Sequence, residues 1–134
     1  MERVRNMITS AAEFVALRCS TNPDDYRRSA REDASEETWR QVIEQWPEMR
    51  RWVAHNKTIP ESIVRELFKR NDEEVKFVLA MKRSTPTDIL DTLATDESDS
   101  IRLAVARHPE VSKSTLELLM NDDWEEVRRI ASLR

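Results

Sequence analysis

The chain has 134 residues, 39% apolar and 36% charged, with 22 Lys and Arg against 26 Asp and Glu for a formal net charge of −4. That is enough apolar material for one modest core, and the lack of any glycine excludes phosphate-cradling glycine loops, calcium-binding helix-loop-helix sites and the nucleophile elbow of hydrolases. The single cysteine, Cys19, can make neither an intramolecular disulfide nor a metal site alone, and no signal peptide or membrane-length apolar run is visible, so the expectation is a reduced, cytoplasmic, all-α protein without a cofactor.

In chain order, Thr9 to Cys19 predicts an amphipathic helix carrying Phe14, Val15 and Leu17, and Asn22-Pro23-Asp24-Asp25 predicts a second helix start. Residues 1–34 are read as an N-terminal helical cap. Ser35 to Ile43 aligns with Pro60 to Phe68 at an offset of 25, one short of the period that follows. From there Met49, Val75, Ile101 and Val127 recur every 26 residues without a gap, which marks tandem supersecondary units near 49–74, 75–100, 101–126 and, in part, 127–134. Residues 35–134 are thus expected to form one continuous repeat domain.

Each unit carries two apolar stripes at helical spacing. The first is Val75, Val78 and Leu79, repeated as Ile101, Ala104, Val105 and as Val127, Ile130, Ala131. The second is Ile63, Val64, Leu67, Phe68, then Ile89, Leu90, Leu93, Ala94, then Thr115, Leu116, Leu119, Met120. Asp72, Ser98 and Asp123 are expected to start the first helix of a unit, and Thr85-Pro86-Thr87-Asp88 and Ser112 the second. The predicted architecture is a short α-solenoid of helix-turn-helix repeats.

These residues resemble the leucine-rich repeat variant proteins, which share a general shape with HEAT-like α-solenoids. Ile101-Arg102, Val105-Ala106-Arg107-His108-Pro109, Val53-Ala54-His55-Asn56, and Thr85-Pro86 with Leu90, Leu93, Ala94 and Asp96 carry the likeness, over roughly residues 35 to 134. The resemblance implies a right-handed stack in which the second helix of a unit is short and in places 3₁₀. It brings no common catalytic residue or ligand. Some relatives place cysteine-rich cluster-binding segments beside such repeats, and the lone Cys19 departs from that.

Chemistry-bearing residues are few. His55 and His108 have no cysteine near them, and His108-Pro109 reads as a turn residue bonded to backbone. Asp96, Glu97 and Asp99 read as a solvated turn and helix cap, without the glycine and closing glutamate of a calcium loop. The cation column Arg50, Lys76, Arg102, Arg128 could follow a phosphate backbone, but Glu73, Asp99 and Glu125 stand three positions before its last three members, at ion-pair spacing. Of the tryptophans, Trp39, Trp46, Trp52 and Trp124 fall in different columns, and Trp52 occupies a core position.

The face of the first helix left free by the core stripe places Arg51 with His55, Phe77 with Met81, Leu103 with Arg107, and Arg129 with Leu133 at i and i+4. Its apolar centre, Phe77, Met81 and Leu103, rimmed by Arg51, His55, Arg107 and Arg129, has the composition of a protein interface. The alternative is that a neighbouring helix of the same chain covers it. The expected function is a non-catalytic module that binds another protein, of the immunity or adaptor kind. The competing expectation is a HEAT-like nucleic-acid-binding protein or DNA glycosylase-type enzyme, which the near balance of charge in residues 49–134, 15 basic against 16 acidic, disfavours.

Overall fold

The structure, a computed structural model, describes residues 7–134, and among them there are ten α-helices, one 3₁₀ turn and no β-strand. The chain divides into two compact units that meet between Arg70 and Asn71. The first holds α1 (Ala11–Cys19), α2 (Pro23–Arg31), α3 (Glu36–Gln45), a 3₁₀ turn (Pro47–Met49), α4 (Arg50–His55) and α5 (Glu61–Lys69). The second holds α6 (Glu73–Met81), α7 (Thr87–Leu93), α8 (Asp99–Arg107), α9 (Lys113–Leu119) and α10 (Glu125–Ser132).

In the first unit, side chains of the expected type start the helices. Ser10, Asn22 and Ser35 each accept a first-turn amide of α1, α2 and α3. Phe14 and Trp39 are fully buried and meet edge to face at 5.2 Å, with Val42, Ile43, Val53, Ile63 and Leu67 buried in the same unit. The expectation that Trp52 is the core tryptophan is corrected. Trp52 is only half-buried, with the Arg18 guanidinium 3.5 Å from its ring centre, and Trp39 fills the core. Pro47 explains why α4 is short: residues 47–55 occupy the nine places that 73–81 fill in α6, but the turn opening at Pro47 is 3₁₀. Trp46 before it is held at φ −130°, ψ 75°, out of the helical region.

In the second unit the 26-residue period becomes geometry. The first helices begin at Glu73, Asp99 and Glu125, and the shorter ones at Thr87 and Lys113. α6 packs on α8 and α8 on α10, around Val75, Leu79, Leu90, Leu93, Ile101, Val105 and Val127. The seven-residue α7 and α9 are α-helical, so the 3₁₀ form implied by the family resemblance is not taken there. Asp72 and Ser98 cap α6 and α8 as expected, but Trp124, not Asp123, occupies the cap position of α10, and the Asp122 carboxylate accepts its N–H at 2.9 Å. Thr85 does not cap α7. Its buried hydroxyl donates to the Leu79 carbonyl at 2.6 Å and leaves Pro86 at the cap position. Asn71 alone among the described residues has a left-handed backbone, φ 52°, a role that falls to asparagine in a chain without glycine.

Two columns tie successive turns together. In the column 56, 82, 108, 134, the Asn56 amide donates to the Ser29 and Glu32 carbonyls, His108 Nε2 donates to the Lys82 carbonyl at 2.7 Å, and Arg134 donates to the Ala106 and His108 carbonyls. Because the Glu110 N–H donates to His108 Nδ1, the ring proton sits on Nε2. These side chains satisfy carbonyls at helix ends that no intrahelical amide reaches. The cation column works differently from its expected pairing. Lys76 reaches Asp96 at 2.7 Å and Arg102 reaches Asp122 at 2.8 Å, each partner 20 residues on, in the turn before the following first helix. Only Arg102 also takes the expected i−3 partner, Asp99, at 2.6 Å, whereas Arg128 donates to the Asp122 and Asp123 carbonyls.

Candidate protein-binding groove

α6 and α8 lie side by side, and their residues one turn apart, Phe77 with Met81 and Leu103 with Arg107, border a groove of about 350 Å³. Ala80, Ala104, Ser100, His108 and Pro109 line the rest. The groove is open because its wall residues are small where the neighbouring columns are large. Ala104 stands where Trp52, Val78 and Ile130 stand in the other copies. Phe77 is 37% and Met81 52% exposed, so no helix among the described residues encloses them, and the alternative that the strip is internal does not hold for these two residues. Leu103 is half-buried against them.

Below the groove the helices are closely packed. Val78, Leu79 and Ala80 on α6 and Val105 and Ala106 on α8 are buried, and His108, 2% exposed, is pinned by its bonds to Lys82 and Glu110. An apolar cleft on a fixed helical pair has little ordering entropy to lose when it is filled. Arg107 is exposed at one end and contributes the positive rim.

The remaining expected residues do not line it. Arg129 projects from α10, exposed, in a two-pronged pair with Glu126, at 2.5 and 3.2 Å, which raises the guanidinium above its ordinary range and lowers the carboxyl. The Glu126 carboxylate also feels the charge of Arg107, so the rim beyond the groove is of mixed sign. Arg51 and His55 belong to α4 in the first unit, both against the Trp52 ring, with the Arg51 guanidinium 4.7 Å from its centre and the His55 ring stacked at 5.3 Å. Four of the seven expected residues, Phe77, Met81, Leu103 and Arg107, therefore line one cavity. His108 and Ala104 were not expected there. The shrinkage of the Ala104 column was the available signal for one, and His108 gave none, since its bonding reads as purely structural.

Among the described residues no cluster of three or more His, Cys, Asp and Glu could hold a metal ion, and no helix is long and apolar enough to cross a membrane. Cys19 is exposed and unpaired with another cysteine. No family model, curated protein or solved structure matches the chain.

Proposed function

We propose that this chain is a non-catalytic protein-binding module, built as a short α-solenoid of the leucine-rich repeat variant kind, that works in a reducing cytoplasmic setting and holds a partner protein in the α6–α8 groove. The observation that carries the reading is the groove itself: Phe77, Met81 and Leu103 line a preformed cleft of about 350 Å³ that the chain leaves unfilled, within the size range of sites that seat one or two large side chains. Its chemistry suits an apolar anchor such as a leucine or phenylalanine on the partner, with a polar or acidic flank facing Arg107. An immunity or adaptor role needs nothing more than such a surface.

The charge distribution supports a protein over a nucleic acid. From residue 71 to 134, the unit that contains the groove, there are nine Lys and Arg against fourteen Asp and Glu. Three of the cations, Lys76, Arg102 and Arg129, are held by carboxylates. A phosphate backbone would meet net repulsion there. The test places a photo-crosslinking residue at Leu103 and, in a second protein, at Glu117 on α9, and irradiates both in the native cell. The expected result is one defined adduct from position 103 that disappears when Phe77→Ala is added. Equal adducts from both positions, or an adduct indifferent to Phe77→Ala, would remove the groove from consideration.

A further inference from the structure

A second cavity lies in the first unit, about 320 Å³, bordered by Arg18 of α1, Tyr26 of α2, and Trp52, His55 and Lys57 at the end of α4. Two permanent cations and an imidazole line it, and among the described residues no carboxylate does. Arg18 is the unusual member. Its guanidinium lies 3.5 Å from the centre of the Trp52 ring and 4.9 Å from that of Tyr26, an aromatic clamp that fixes the plane of the fork. Its Nε is buried and has no hydrogen-bond partner. An N–H with no exposed surface is not reached from the cavity, so an anion held there would bond the outer nitrogens of the fork.

The walls are held in place independently of any ligand. Asn56, fully buried, donates to the Ser29 and Glu32 carbonyls and accepts the Thr58 N–H, and the Lys57 N–H donates to the Ala30 carbonyl at 2.8 Å. These bonds join the C-terminal end of α2 to the segment after α4 and hold the backbone of Lys57 beside α2. The side-chain ammonium of Lys57 and the fork of Arg18 are then two cations on one preformed cavity. A planar fork and an ammonium together match a doubly charged oxyanion better than a single carboxylate.

We infer that the Arg18–Trp52–Lys57 cavity is an anion site that takes a phosphate group, either free phosphate or a small phosphate monoester. The site is in the other unit from the α6–α8 groove and does not depend on it. The aromatic walls Tyr26 and Trp52 offer apolar surface beside the charges, and the volume leaves room for an organic substituent.

The experiment is a nitrogen–proton correlation titration of the full chain with sodium phosphate and, separately, phenyl phosphate, at ionic strength held constant with sodium chloride. The Arg18 Nε–H and the Trp52 indole N–H are the reporters, and the Trp39 indole, buried in the core, is the internal control. Both reporters are expected to shift saturably while Trp39 stays still. Lys57→Gln, an exposed position that leaves the fold intact, should weaken binding by about tenfold, the scale of one charge-assisted hydrogen bond. Tighter binding of phenyl phosphate assigns the site to a monoester, and equal binding assigns it to free phosphate. Shifts that never saturate, or that are unchanged in Lys57→Gln, would overturn the assignment and leave Arg18 as packing between two rings. Arg18→Lys, which keeps charge but loses the planar fork, should lose affinity too. Should it melt lower yet bind phosphate as tightly as the parent, the site is equally refuted.

Discussion

Phe77 and Leu93 belong to the same helix pair and serve opposite ends, one open to solvent in the groove and one closed in the core. Leu93 is 1% exposed, so Leu93→Asp puts a lone carboxylate among apolar side chains at a cost of several kcal/mol, against a total stability of about 5–15 kcal/mol for a domain of this size. Loss of the cooperative melt followed by circular dichroism is expected, and a melting temperature within a few degrees of the parent would show that the core is misplaced. Phe77→Ala, by contrast, should cost only about 1–2 kcal/mol in the same assay, because more than a third of the residue is already exposed. A sharp fall in its melting temperature would make Phe77 a core residue and close the groove. His108→Ala leaves the Glu110 N–H without its ring acceptor and the Lys82 carbonyl with only the Thr85 N–H, at a 2% exposed position, and should destabilise by about 1–3 kcal/mol in urea unfolding. A change below about 0.5 kcal/mol would mean that water replaces the ring without penalty.

Between elements, the link from α6 to the turn before α8 rests on Lys76 and Asp96, both mostly buried. Burial alone would raise the Asp96 carboxyl, but the Lys76 ammonium and the Ser98 N–H hold it below its ordinary value of 3.8. A depressed carboxyl stabilises the fold at pH values above its unfolded pKa and loses that contribution as pH falls through the folded one. The parent should therefore lose stability on acidification below about pH 4, and Asp96→Asn should be weaker than the parent at pH 7 but show a flatter profile in that acid window. Identical profiles in urea unfolding at pH 7 and pH 3 would show that the pair contributes nothing. The helices themselves were readable from spacing, since the columns from Val75 and Ile89 onward carry both the period and the buried face. The partners of Lys76 and Arg102 were not, because the expected i−3 pairing uses only intrahelical geometry, whereas the path of the turn brings Asp96 and Asp122 within reach from 20 residues away. The same limit explains Trp52. Its column is apolar in other copies, and spacing gives no sign that Arg18, distant in sequence, is what packs on the ring. Within the second copy of the strip, Phe77 and Met81 were legible as exposed apolar residues on a helix, whereas the separation of Arg51 and His55 into another unit follows from the break at Pro47 and Arg70.

For the whole molecule the choice is between a protein partner and a nucleic acid, and charge and shape point the same way. The unit with the groove carries an excess of acids, and its aligned cations face carboxylates and turn carbonyls of their own chain. Labelled duplex and single-stranded oligonucleotides should show no anisotropy change at about 0.15 M salt, and tight binding with a steep salt dependence would replace the proposed function with the nucleic-acid one. The central claim, that the α6–α8 groove binds a protein through an apolar anchor, is tested most directly by selecting a random peptide library on the folded chain with counter-selection on Leu103→Arg. Enriched peptides are expected to share a large apolar residue, to perturb the amides of α6 and α8, and to lose affinity by about 1–3 kcal/mol on Phe77→Ala. Peptides that bind parent and Leu103→Arg alike, or that perturb only residues outside those two helices, would contradict it.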